Sequence, residues 1–226
     1  MRLGNISLSS EGSKSMHIDV IHDTACPWCR IGKANLHTAL ADWAGEPVTI
    51  QYWAYLLNPN LPPEGASFAE VMTSKYPNVD LSQMEAGPTR AGEAIGMVFN
   101  FDLLTRAPNT ILSHRLIAIA LPDKREAIIN AIYDAYFQFG KDISRLDVLL
   151  DCAEQVGLDR AWAQVALEGD AGLAQVAEEV QTVMNAGLSG VPFFIFDGKL
   201  SLSGAQPVEV FKRALARAAE MPSPQK

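Results

Sequence analysis

Positions 18, 20 and 21 carry β-branched apolar residues, and His22 then leads into Asp23-Thr24, two residue types favoured at helix N-termini. This pattern predicts a strand over 18–22 that runs into a helix. Over 26–43 the apolar positions Ile31, Ala34, Leu36, Ala39, Leu40 and Trp43 recur near the helical period, and Gly45 with Pro47 closes the run. Residues 48–53 alternate, with Val48, Ile50 and Tyr52 on one side, as a half-buried strand does. The order β-α-β implies a parallel pair joined by a crossover helix.

After Pro62-Pro63 the period changes. Helical spacing dominates from about 68 to 186 and strand signals vanish. The clearest helices cover 110–121 with Asn109 as candidate cap, 124–139 stopped by Gly140, 144–156 stopped by Gly157, and 172–186 stopped by Gly187. Two more are expected over 68–76 and 82–100, the second interrupted by Pro88. Strand character returns over 192–196, Asp197-Gly198 suits a tight two-residue hairpin turn, and a partner strand follows over 199–203. Pro207 fits the first position of a last helix that runs to about 219. No internal repeat suggests a solenoid. The expected architecture is an α/β thioredoxin-like fold with a helical insertion. Residues 16–60 and 187–220 would form a discontinuous thioredoxin-like domain and 61–186 the insertion domain. Residues 1–15 read as a disordered leader and 221–226 as a tail.

With 226 residues, 48% of them hydrophobic, the chain can bury a substantial core. A formal charge of -8 disfavours nucleic acid and anionic membranes as partners, since both would repel it. The first fifteen residues lack the apolar core of a secretory signal, and Met16 is a candidate start directly before the first strand. No stretch is apolar and long enough to span a bilayer. Three cysteines, an odd number, argue against a secreted disulfide framework, so a cytoplasmic location is expected.

Two of those cysteines form Cys26-Pro27-Trp28-Cys29 at the predicted strand-to-helix junction. A thiol in the first turn of a helix faces unpaired backbone N–H groups and the positive end of the dipole, which favour the thiolate. Cys26 is therefore the candidate nucleophile. Cys29, one turn further on the same face, can attack a mixed disulfide and release the substrate. Pro27 suits the first turn because it has no N–H to lose, and Trp28 is expected to be partly exposed and able to contact a partner. Other readings explain less. A structural zinc site needs four ligands, and neither Cys152 nor the histidines supply the spacing, so no metal is expected. Haem attachment needs His after the second cysteine, where Arg30 stands. Inert packing cysteines would account for neither the junction nor Pro-Trp. Val191-Pro192 opens the later strand, and a proline there points to a cis bond, an edge strand or a simple turn.

Together with Leu57-Asn58-Pro59, Asn109-Thr110, His114-Arg115, Gly190-Val191-Pro192-Phe193-Phe194 and Ser203-Gly204-Ala205-Gln206-Pro207, the run Asp23 to Lys33 resembles the FrnE-like branch of the DsbA family. The resemblance spans about residues 16–219. It implies disulfide oxidase or isomerase activity on protein or small-molecule thiols and disulfides. It also implies a cis Val191–Pro192 bond facing the reactive cysteine and a helical block shaping a groove. No bound cofactor is implied, and glutathione is a candidate co-substrate. A homodimer through the apolar helices stays open. Asn109 and His114 are substrate-side candidates on the same resemblance. A sister branch, the kappa-class transferases and 2-hydroxychromene-2-carboxylate isomerases, usually has Ser at the position of Cys26 and lacks the second cysteine. It supplies the alternative, a glutathione-dependent activity on a hydrophobic small molecule. Some FrnE-like proteins carry a second cysteine pair near the C-terminus, and this chain has no cysteine after Cys152.

Cys152 shares a helix face with Leu149 and Ala153 and reads as a small buried hydrophobe. The aromatic set Trp53, Tyr55, Tyr133, Tyr136, Phe137 and Phe139 reads mostly as core, with a groove lining as the alternative.

Overall fold

The computed structural model describes residues 15–222. The expected leader, apart from Ser15, and the last four residues of the expected tail lie outside the described residues. Strand β1 (Met16–His22) pairs in parallel with β2 (Val48–Ala54) through helix α1 (Pro27–Ala41), giving the β-α-β unit. Strand β5 (Phe193–Phe196) runs antiparallel to the other side of β1 and pairs with β6 (Leu200–Ser203), so the sheet order is β2-β1-β5-β6. Asp197 and Gly198 both take left-handed φ, 51° and 65°, and the Lys199 N–H closes the turn on the Phe196 carbonyl at 2.9 Å. Because Phe196 pairs with Leu200, the connection has three residues and not the expected two. Helix α9 (Val208–Glu220) packs on α1 and on the β5–β6 hairpin.

The segment between β2 and β5 holds α2 (Phe68–Lys75), α3 (Leu81–Glu93), α4 (Ile111–Ile119), α5 (Pro122–Tyr133), α6 (Leu146–Gln155), α7 (Arg160–Glu168) and α8 (Leu173–Asn185). Strand signals were expected to vanish here, yet Ala66–Ser67 (β3) pairs antiparallel with Arg106–Ala107 (β4). A pair only two residues long leaves no period to read. The helix expected to reach residue 100 ends at Glu93, where Gly96 turns at φ 71°. The helix expected over 124–139 begins at Pro122 and widens into a π-type turn over Asp134–Gln138. Buried side chains of the sheet, of α1 and α9, and of α4 to α7 form one continuous cluster that includes Leu36, Leu116, Ile128, Leu149, Phe194 and Phe211. Among the described residues, no helix is long and apolar enough to cross a membrane, and no group of His, Cys, Asp and Glu could hold a metal ion.

Candidate active site

Cys26 occupies the N-cap of α1 in extended conformation (φ -100°, ψ 113°), with Pro27 as the first helical residue. The reason is local, because proline presets the φ of the first turn and gives up no hydrogen bond there. The Cys26 carbonyl accepts from the Cys29 and Arg30 N–H groups at 3.1 and 3.4 Å, while the thiol points to the Val191 carbonyl 3.9 Å away. The Val191–Pro192 bond is cis, and the Pro192 carbonyl accepts from the Gly204 N–H at 2.8 Å. Cys26 and Val191 thus meet across 165 residues at the mouth of a cavity. Cys26 and Cys29 are free thiols. Cys29 is 1% exposed. Burial first, and then its closeness to the Cys26 sulfur, hold its thiol well above the ordinary value.

Gly32 is the feature that lets α1 approach β5. A Cβ there would lie 3.1 Å from Phe194 Cζ, 3.1 Å from Pro192 Cγ and 3.3 Å from the Ala205 Cα. The flanking cations tie α1 to the helical segment. Arg30 donates to the Val98 carbonyl and to Asp134 Oδ1, each at 2.6 Å, and stacks over Phe99 at 5.0 Å. Lys33 reaches Glu126 Oε1 at 3.1 Å and Asn130 Oδ1 at 2.9 Å.

Asp23, expected as a helix cap, does something else. Its fully buried carboxylate accepts from the Ala25 N–H at 3.1 Å and from the Leu57 N–H at 2.6 Å, so it clamps the loop before Cys26 to the segment after β2. Nothing local signals that reach to Leu57. Behind it lies a buried polar cluster. His114 Nε2 is 3.7 Å from Asp23 Oδ1, the His22 and His114 rings stand edge to face at 5.3 Å, and His22 Nδ1 meets the Tyr133 hydroxyl at 3.0 Å. Burial first, then the charges of His114 and Lys33, hold His22 well below its ordinary pKa.

The cavity holds about 310 Å³ and is lined at its mouth by Cys26, Pro27, Trp28, Leu57, Asn58 and Val191. Trp28 is 40% exposed and its ring lies against Gly87 of α3, where a Cβ would come within 3.3 Å of it. Two expected substrate-side residues sit elsewhere. Asn109 donates to the Leu61 carbonyl at 2.8 Å and accepts from the Ile111 N–H at 3.0 Å, so both ends of its amide serve the backbone at the start of α4. His114, 3% exposed, lies among Asp23 and His22 and not on the cavity lining, because the face of α4 that carries it packs inward. Of the aromatic set, Tyr136 and Phe137 line the cavity, Tyr133 belongs to the polar cluster, and Phe139 is exposed. Cys152 is buried far along α6, where its thiol donates to the Ala131 carbonyl at 3.6 Å.

Residues 17–216 match the family described as the DSBA-like thioredoxin domain. Among solved structures, a probable DsbA oxidoreductase from Streptomyces coelicolor is 29% identical, covers 93% of each chain and superposes with a TM-score of 0.81. The cytosolic disulfide reductase DsbM of Pseudomonas aeruginosa, solved with GSH, is 21% identical over 91% of this chain and all of its own, with a TM-score of 0.64. A 2-hydroxychromene-2-carboxylate isomerase shares the fold at 16% identity and a TM-score of 0.68, over 90% of this chain and 96% of its own.

Proposed function

The chain belongs to the DSBA-like thioredoxin domain family, and from that premise we propose that it is a thiol–disulfide oxidoreductase in which Cys26 is the nucleophile and Cys29 the resolving thiol. The observation that carries this reading is the asymmetry of the pair. Both thiols are buried, but Cys26 at the N-cap of α1 lines the cavity and points to the Val191 carbonyl, while Cys29 lies one turn behind it and off that lining.

In the reducing direction, the Cys26 thiolate attacks one sulfur of a substrate disulfide. The S–S bond breaks, the leaving thiolate takes a proton from water, and a mixed disulfide joins Cys26 to the other half. Cys29 then gives up its proton to water and attacks Cys26 Sγ. The second half leaves as thiolate and is protonated, and the Cys26–Cys29 disulfide holds the two oxidising equivalents. The oxidising direction is the same sequence reversed. In this reading an extended substrate would lie against the Val191–Pro192 segment with Trp28 at its side, since both line the cavity with Cys26. The DsbM relative solved with GSH supports glutathione as a candidate thiol for the return half-cycle.

Cys29→Ser is the test. It should accumulate a stable mixed disulfide on Cys26, visible by mass, and lose turnover. The glutathione-dependent isomerase or transferase alternative requires that Cys29→Ser keep full activity and trap nothing.

A further inference from the structure

One wall of the cavity is the half-buried face of a helix. In α2, Phe68, Val71, Met72 and Lys75 fall at i, i+3, i+4 and i+7, a single stripe, and all four line the cavity. No residue of α2 is fully buried: Phe68 packs against the edge of the core, and Val71 and Met72 are half-buried on the cavity. Met84 and Pro88 of α3 and Leu104, Tyr136 and Phe137 complete an apolar chamber that opens on Cys26. At about 310 Å³ it lies at the small end of ligand pockets, which run from ~300 to ~1,000 Å³.

The charges on this lining are few. Lys75 already donates to the Leu57 carbonyl at 3.0 Å and to Asn58 Oδ1 at 3.1 Å. The other ionised side chain is Glu85, whose carboxyl is pushed up by desolvation and then by the nearby charges of Asp102 and Asp80. A ligand carboxylate entering here would meet Glu85 and one committed lysine, on a chain that carries a formal charge of -8. Glutathione disulfide brings four carboxylates and two ammonium groups, and one committed lysine cannot pair them.

Resting on the exchange reading above, we propose that this cavity is a substrate subsite that selects small, neutral, apolar disulfides over glutathione disulfide. The apolar arm lies along the Phe68, Val71 and Met72 stripe and presents its sulfur to Cys26. The Cys26 thiolate attacks that sulfur and the distal apolar thiolate leaves and is protonated by water. Cys29 releases the second half as the Cys26–Cys29 disulfide forms. An added dithiol, dithiothreitol in the assay, is oxidised to restore the pair.

The test compares the rates at which the reduced protein is oxidised by di-n-propyl disulfide, 2-hydroxyethyl disulfide and glutathione disulfide. Each rate is divided by that of the same disulfide with dithiothreitol alone. The expected result is a normalised preference of at least tenfold for the propyl compound over both others. In Val71→Trp, which fills the chamber, the ratio of propyl to hydroxyethyl rates should collapse toward one, and Val71→Ile should retain it. Equal normalised rates for all three disulfides would overturn the substrate class while leaving the exchange reading standing. If none of them produced a Cys26–Cys29 disulfide, the exchange reading would fall, and this inference with it.

Discussion

Gly32→Ala tests the close contact between α1, which carries the proposed nucleophile, and the segment that holds Pro192. In an unconstrained helix interior the change would gain about 1 kcal/mol, since glycine is the poorer helix former. Here the new methyl meets three atoms at 3.1 to 3.3 Å, and none can swing away cheaply. Phe194 is fully buried, Pro192 is a closed ring, and the Ala205 contact is backbone. Overpacking of this kind costs about 1–3 kcal/mol, so the net loss is about 1 kcal/mol with the sign opposite to helix propensity. With a urea slope of about 2 kcal/mol/M, the unfolding midpoint should fall by about 0.5 M. The few tenths of an ångström by which these neighbours must give would shift α1 against the Val191–Pro192 segment, so disulfide exchange should slow by more than the stability loss explains. Both are read on one preparation, by urea titration followed by far-UV circular dichroism and by the rate of thiol oxidation under native conditions. A variant as stable as the parent, or more so, with an unchanged exchange rate would refute the claim that Gly32 sets this spacing.

Other consequences are equally direct. Burial raises the Cys152 thiol to about 11, so it should resist alkylation in the native state. Cys152→Ala should cost about 1 kcal/mol and leave the exchange rate unchanged; a loss of exchange would give this thiol a redox role. Asp23→Ala strips the acceptor from two backbone N–H groups and should cost about 2–4 kcal/mol by denaturant titration, with a less ordered loop before Cys26. Stability should also depend on pH through histidine. His22 lies well below its ordinary value, and His37 is lowered to about 4, by burial first and then by Lys33. The folded state therefore keeps both rings neutral while the unfolded chain protonates them near 6.5, so their contribution is full above about pH 6.5 and is lost as the pH falls from there toward 4. Urea midpoints at pH 7 and pH 5 should show the drop, and His37→Gln should shrink it; an equal drop in that variant would remove His37 from the account.

What could be read from the sequence was what is local or periodic. The alternation over Val48 to Trp53 and the helical spacing after Cys26 fixed the β-α-β unit, and Asp197-Gly198 located the hairpin. The C-x-x-C marked the candidate pair because its spacing of one helix turn is itself local. The remainder depends on partners distant in sequence. Asp23 looked like a cap because its own neighbours suit one, while its second acceptor oxygen is taken by Leu57. His114 was a substrate-side candidate on the family resemblance alone, but the packing of α4 turns the imidazole onto Asp23. The spacing over 68–76 predicted a helix and no more, and in the structure its apolar stripe lines the cavity. A periodic pattern tells which face is apolar and not what that face meets.

The central claim is that Cys26 and Cys29 cycle between dithiol and disulfide, and the most direct test is their redox equilibrium. The protein is equilibrated in glutathione buffers spanning reducing to oxidising ratios, quenched, alkylated and weighed. The account predicts a reversible Cys26–Cys29 disulfide with a potential between about -120 and -270 mV, absent in Cys29→Ser and unaffected by Cys152→Ala. Two free thiols at every ratio, or a stable glutathione adduct on Cys26 that Cys29 never resolves, would contradict it.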